Sequence, residues 1–402
     1  MASFSRLLED VAYVYIPDIT RTLSKAYTYT YINMSAVEDT ACVFLRDFHS
    51  PQYQVGIDTL FYKTDTYHNF QGIKLIPPGS HLIHITDSIN NSRTGKFVEA
   101  EPGTVIIMDL VHPDDTVDNI SIEISTVSVE KSIKYGLTQE IYVSKMTNYQ
   151  NSVNELEIAT TSIMQGFDYS KYLSNNTGHV TSEDATTLEV RKLDEAIMRR
   201  GNDAGSRNQK YVKDLTAGLK ILNKNILKMS VIDLTDKKTL VRTGSANKMQ
   251  DYMDRTWIIE KAFGQDRDSG FMKRYLAEFK FSFVLAAILN NQGAYQQWKT
   301  LLDLFLRSGR LLKQHEKESY DFMSTLSIQL RVFLRLRKKE DYEDMDDTFN
   351  VDLSELQDSF TECLLTVDEL EGTKLQFAFG RIVQLLNSRF GMEISDRLDM
   401  SE

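Results

Sequence analysis

The sequence predicts an α+β multidomain protein, with an N-terminal β-sandwich-like domain followed by a C-terminal all-α domain. Three observations carry this. Between Cys42 and Val143, short apolar or alternating runs are separated by turns rich in Gly, Pro and Asn, as in sandwiches and barrels. From Val231 onward, apolar residues recur at three- and four-residue spacing, the period of helices. A chain of 402 residues is also long for one core, and at 42% hydrophobic it is not wholesale disordered.

The β half is read element by element. Cys42–Leu45 is an apolar strand. Gln54–Ile85 carries the tightest local grammar: Ile73–Ile76 is a short apolar run, Pro77-Pro78-Gly79-Ser80 reads as a type II turn, and His81–Ile85 resumes an extended segment. Pro78 presets φ and Gly79 supplies a positive φ. Strand, turn, strand predicts a β-hairpin, with Gly56 and Gly72 as bends or close approaches. Asn90–Gly95 reads as a turn, Lys96–Val98 as a strand, Pro102-Gly103 as a turn and Thr104–Met108 as a buried strand. Ile120, Ile122 and Ile124 alternate with polar residues, and Ile133–Val143 is read in the same extended style.

The character changes after Tyr149. Asn148–Thr187 is polar with scattered aromatics at Phe167, Tyr169 and Tyr172. Leu188–Arg200 looks helical, and Gly201–Gln209 is the best linker candidate. Phe281, Val284, Leu285, Ile288 and Leu289 make one strong helical face, ended by Asn290–Gly293. Trp298, Leu301, Leu302, Phe305 and Leu306 make the next, followed by Met323–Phe333 and Phe379–Phe390, with a charge-dense connection over Lys338–Asp352. Helices with short breaks predict an antiparallel bundle or short solenoid. The expected divisions are an extension at 1–40, a β domain with a trailing helix at 41–198, a linker region at 199–230, a helical domain at 231–395 and a short tail at 396–402.

Composition narrows the function. A net charge of −11 argues against a general grip on nucleic acid, which needs clustered Lys and Arg, and permits a basic protein partner. The two cysteines, Cys42 and Cys363, sit in apolar settings, where buried inert thiols and a reducing compartment are the simplest reading. No signal peptide or membrane-spanning run is found, so a soluble intracellular chain is expected.

Catalytic grammar is missing. There is no Walker A run, no dinucleotide glycine fingerprint, no Gly-x-Ser-x-Gly elbow and no His-Glu-x-x-His. His81 and His84 lie three apart on a strand, which points them to opposite faces. One core and one surface histidine are expected rather than a metal pair. No catalytic, cofactor-binding or metal-ligating residue is assigned, and no cofactor is expected.

Two blocks of residues nevertheless resemble a known family. The first is Gly56-Ile57-Asp58 followed by Phe70-x-Gly72-Ile73-Lys74-x-Ile76-Pro77-Pro78-Gly79-x-His81-x-x-His84 and Arg93-x-Gly95-x-Phe97. The second is Glu278-Phe279-Lys280-Phe281-Ser282-Phe283, then Trp298-Lys299-x-Leu301-Leu302, Arg307-Ser308, His315 and Gln329-Leu330. Their order and spacing are similar to the A1 cistron-splicing factor (AAR2) family, which acts in assembly of the spliceosomal U5 small nuclear ribonucleoprotein. The chain departs from the family at Ala277, where a Gly is usual, and at Gly391-Met392. Only Glu393–Glu402 remains where the family can carry a strand-forming tail.

The resemblance implies a β-sandwich domain and a VHS-like helical domain, and a non-catalytic role. It implies an assembly chaperone in the cytoplasm and nucleus. Such a factor holds the Prp8 scaffold through its RNase H-like and Jab/MPN domains, beside other U5 proteins, and keeps RNA or the Brr2 helicase from binding early. Neither direct nucleic-acid contact nor membrane contact is expected. The alternatives are a VHS-like interaction adaptor and a cupin-like metalloenzyme. Within the first block, Gly56, Gly72, Pro77, Pro78 and Gly79 have backbone reasons to be present, and Asp58, His81 and His84 complete the pattern. In the second block, Glu278, Phe281, Trp298, Leu301 and Leu302 are marked, with Trp298 expected as a core anchor. Ser269, in the polar loop Asp266–Gly270, is the one expected regulatory phosphosite, because phosphate there would meet a helix N-terminus among acids.

Overall fold

A computed structural model describes residues 39–46, 53–63, 70–87, 92–111, 121–149, 164, 168–203, 225–236, 239–264, 270–336 and 351–395. The extension at 1–38, the tail at 396–402, the acidic connection at 337–350 and Ser269 lie outside the described residues.

The strands are β1 (Ala41–Arg46), β2 (Tyr53–Ile57), β3 (Leu60–Lys63), β4 (Gly72–Ile76), β5 (Gly79–Asp87), β6 (Arg93–Ala100), β7 (Thr104–Val111), β8 (Ser121–Ser128), β9 (Met146–Asn148), β10 (His179–Thr181), β11 (Ala185–Thr186) and β12 (Ile226–Leu227). They form one five-stranded sheet in the order β8-β7-β1-β4-β9, a second in the order β10-β6-β5-β2-β3, and the small pair β11-β12. The inner faces of the two large sheets meet in one apolar core, with Val43, Ile73, Ile76, Ile106 and Met108 from the first and Val55, Ile57, Ile83, Ile85 and Val98 from the second. A sandwich is therefore observed, as expected.

The expected hairpin over Ile73–Ile85 is not formed. β4 pairs with β1 and β9 in the first sheet, whereas β5 pairs with β2 and β6 in the second. Pro77-Pro78 is thus a corner that carries the chain from one sheet to the other, and Gly79 enters β5 at φ 129, a conformation that favours glycine. Strand, turn, strand describes both a hairpin and a sheet-switching corner. Local sequence does not separate them, because the partner strands come from elsewhere in the chain.

Other boundaries move. Ile133–Val143 is not extended: α1 (Val129–Ser132), a 3-10 turn at Ile133–Tyr135 and α2 (Gln139–Ser144) occupy the region. Thr138 caps α2 by accepting from Ile141 N. These short helices cover the outer face of the first sheet, where Cys42, Phe44, Val105 and Ile107 pack on Leu137 and Tyr142. Both faces of β1 are consequently buried, which explains its unbroken apolar run. Arg93–Gly95, expected in a turn, belongs to β6. The helix α3 (Thr187–Asp203) runs past Arg200 into the expected linker. It begins on a capping box, in which Thr186 N donates to Glu189 Oε2 and Glu189 N to Thr186 Oγ1.

The C-terminal region consists of α4 (Lys248–Met253), α5 (Thr256–Phe263), α6 (Phe271–Leu289), α7 (Gln292–Leu306), α8 (Gly309–Gln314), α9 (Glu316–Leu336), α10 (Gln357–Asp368) and α11 (Lys374–Leu385). Asn290 ends α6 in the left-handed conformation at φ 57, as an Asn cap does. The expected single apolar stripe on α6 is instead burial on nearly all sides, from Phe279 to Leu289, with only Lys280 less than fully covered. Residues from the second sheet supply the extra cover.

Candidate functional site: a buried histidine hub and the seam beside it

Asp58 occupies the two-residue turn between β2 and β3, at φ 55 and 1% exposed. Its carboxylate accepts from three directions. His81 Nδ1 lies 2.7 Å from Oδ2, Tyr149 Oη donates to Oδ2 at 2.6 Å, and Leu82 N donates to Oδ1 at 2.9 Å. The other ring nitrogen of His81 is 2.8 Å from the Pro77 carbonyl. A carbonyl only accepts, so Nε2 donates there and Nδ1 donates to Asp58, which makes His81 an imidazolium. Burial opposes that charge. The Asp58 carboxylate outweighs it with the Pro77 carbonyl and Glu99, and the His81 pKa lies above its ordinary value.

His84 takes the opposite state. Its Nε2 donates to the Asp58 carbonyl at 3.0 Å, and its Nδ1 is buried without a partner. Burial and the nearby Arg93 charge push its pKa down to about 3. The ring lies directly on Gly56: a Cβ at that position would stand 1.9 Å from His84 Cε1. Phe61 meets the ring edge-on at 4.7 Å.

The two histidines do point to opposite faces, but neither is at the surface. Alternation along β5 sends Ile83 and Ile85 into the sandwich core and Leu82 into the core of the helical domain. His84, on the Leu82 side, is 0% exposed. A strand with both faces buried is expected when helices pack on the sheet.

The seam so formed has an apolar centre and polar ends. Phe281 of α6 stacks on Tyr172 at 4.7 Å and on Phe97 of β6 at 5.9 Å, and Phe97 stacks on Tyr169 at 4.7 Å. At the C-terminal end of α6, Arg93 Nη1 donates to the Ile288 carbonyl at 2.8 Å. It supplies a donor to a carbonyl that the helix leaves without one. Asn291 does two jobs. Its Oδ1 caps α7 by accepting from Ala294 N, and its Nδ2 lies 2.9–3.2 Å from the carbonyls of Thr181, Ser182 and Asp184.

The second block of marked residues lies inside the helical domain. Trp298 is fully buried, donates from Nε1 to Gln329 Oε1 at 2.8 Å and stacks with Phe279. Leu301 and Leu302 are buried beside it. The Glu278 carboxylate accepts from Ser230 N, Ser230 Oγ and Gln297 Nε2. Burial raises its pKa, partly offset by those donors.

The marked residues therefore fall into two groups. Gly56, Asp58, Pro77, His81 and His84 meet at the hub, while Gly72 opens β4 and Pro78 and Gly79 make the corner. Glu278, Phe281, Trp298, Leu301 and Leu302 build the helical core, and Phe281 alone of these reaches the β domain through its ring contacts. Tyr149, Asn291 and Tyr172 were not marked, although each is central. Asn291 carries a sequence signal, an N-cap residue type before a helical stripe. Tyr149 and Tyr172 carry none.

Chemically, the His81–Asp58 part of the hub is closed. Both His81 nitrogens donate, so neither offers a lone pair to a metal, and among the described residues no group of three or more His, Cys, Asp or Glu is placed to hold one. Both cysteines are buried, with burial pushing the Cys42 thiol up to about 12 and that of Cys363 higher still. No helix among the described residues is long and apolar enough to cross a membrane.

Comparison with known families bears on both halves. The model described as the AAR2 N-terminal domain matches residues 39–188, and the model described as the AAR2 C-terminal repeat region matches residues 232–395. The chain belongs to the AAR2, or A1 cistron-splicing factor, family. The two matches tile the β domain and the helical domain in order and meet across the seam. Membership makes this AAR2-family chain a splicing-related factor, in the company of proteins that assemble the splicing machinery. No curated protein matches the sequence.

Proposed function

We propose that this chain is a non-catalytic assembly factor of the U5 small nuclear ribonucleoprotein. In this reading it binds the Prp8 scaffold through the RNase H-like and Jab/MPN domains and keeps the Brr2 helicase and RNA away until assembly is complete. It works in the cytoplasm and nucleus.

The observation that carries the reading is that both family domains are present and joined through a buried seam. The Leu82 and Phe97 side chains of the β domain lie in the same core as α6 and α7. A partner therefore meets the two domains as one body, so little orientational freedom is lost on binding. The net charge of −11 favours encounter with basic, RNA-binding surfaces. The Asp58 carboxylate and both His81 nitrogens are consumed in holding the fold, which supports a binding role over a catalytic one.

Gel filtration tests this. The full chain is mixed with recombinant RNase H-like and Jab/MPN domains of the Prp8 from the same source, and Brr2 is then added. Co-elution that resists Brr2 supports the reading. Co-elution of all four components would retain scaffold binding and remove the blocking role. Failure to co-elute at low and high salt would remove both.

A further inference from the structure

A cavity of about 490 Å³ opens on the helical domain, away from the hub. Its floor and walls are Met229, Ile232, Trp257, Ile258 and Ala262. Its rim holds Val231, Lys228 and Lys261, all exposed. The volume is that of sites for small ligands or a few side chains. The walls are fixed before anything binds: Glu278 pins Ser230 through two hydrogen bonds, and the Trp257 indole donates to the Asp251 carbonyl at 3.1 Å. Neither rim lysine has an ion-pair partner among the described residues, unlike Lys192, Lys299 and Lys313. An apolar slot flanked by two unpaired ammonium groups is complementary to an apolar side chain flanked by carboxylates.

We propose that this cavity receives a segment of a partner protein, with an apolar side chain entering beside Trp257 and adjoining carboxylates meeting Lys228 and Lys261. Peptide fits better than RNA. Two cations are few for a phosphate backbone. The site stands apart from the Prp8 reading, because any partner with such a segment satisfies it.

The chain reports on the site by itself. It has two tryptophans; Trp298 is sealed in the helical core at 0% exposure, and Trp257 lines the cavity. The probe is the peptide acetyl-Glu-Glu-Phe-Glu-Glu-amide, titrated into the full chain by tryptophan fluorescence and calorimetry. A saturable signal is expected, lost when Phe of the peptide is replaced by Ala and weakened about tenfold or more by Lys228→Glu with Lys261→Glu. Both lysines are exposed, so that variant keeps its fold, which circular dichroism checks. Ala262→Phe, which fills the cavity with both lysines in place, gives the same loss. Four results overturn the proposal: no binding of the peptide, equal binding by the double variant, preferential binding of a hexauridylate, or self-association of the chain that the same charge reversals abolish.

Discussion

Gly56 lies beneath the imidazole of His84, on neighbouring strands, so closely that a Cβ would stand 1.9 Å from the ring. The ring in turn is held by its hydrogen bond to the Asp58 carbonyl and cannot move aside without losing it. Gly56→Ala should therefore destabilise the protein by about 2–3 kcal/mol, although Ala suits a strand interior better than Gly. Denaturant midpoints measure the loss. Adding His84→Ala to Gly56→Ala should recover part of it, because the obstructing ring is gone; an unaltered midpoint in the single variant would contradict the packing described.

His84 should make the fold acid-sensitive. The unfolded chain protonates this residue near its ordinary pKa of 6.5, while the folded protein resists until about pH 3. Between those values the unfolded state binds the extra proton, so stability falls as pH drops, by at most roughly 1.4 kcal/mol per pH unit from this group. Above pH 6.5 the contribution is level. Thermal melts from pH 7 to 4 should show a shallower decline in His84→Gln than in the parent.

The His81–Asp58 pair carries the opposite sign. The folded pKa of His81 is raised, so the pair's stabilisation is complete below the unfolded value near 6.5 and is lost as pH rises through the folded pKa. Asp58→Asn removes the counter-charge and leaves a buried imidazole facing an amide. It should destabilise by about 3–5 kcal/mol near neutral pH and flatten the alkaline limb of the pH–stability curve. Tyr149→Phe, which removes one donor to the same carboxylate, should lose about 1–3 kcal/mol. A His81 titration by NMR that stays put in Asp58→Asn would contradict the assignment.

Asn291 separates helix capping from domain clamping. Asn291→Ala loses both, at about 1–2 kcal/mol for the cap. Asn291→Asp keeps a good cap but turns a carboxylate toward the carbonyls of Thr181, Ser182 and Asp184, where the amide now donates. The Asp variant should therefore be no more stable than the Ala variant, with faster amide exchange around residues 179–186. If capping were all that Asn291 did, the Asp variant would match the parent.

Much of the fold was legible from composition and period, and the rest failed for identifiable reasons. The division into β and α halves, the buried cysteines, the Asn290 cap and Trp298 as a core residue each follow from local chemistry. The Pro77-Pro78-Gly79 corner was legible as a turn but not as a change of sheet, because the sheet is chosen by β1, β2 and β6. One of the two histidines was expected at the surface because a strand was assumed to have a wet face; the helical domain, with α6 some two hundred residues away in sequence, makes that face dry. Ile133–Val143 was read as extended because Ile133, Ile141 and Val143 are β-prone, yet packing over Cys42 and Phe44 selects short helices. The seam was least visible. Arg93 and Asn291 look like ordinary polar residues until the carbonyls that they satisfy are brought to them.

The most direct test is a calorimetric titration of the full chain with the RNase H-like and Jab/MPN domains of its own Prp8. Saturable 1:1 binding to that pair is expected, weakened by added salt, with addition of Brr2 blocked once the complex has formed. Absence of heat and of complex formation across salt concentrations, with every component folded, would contradict it and leave a splicing-family fold whose partner lies elsewhere.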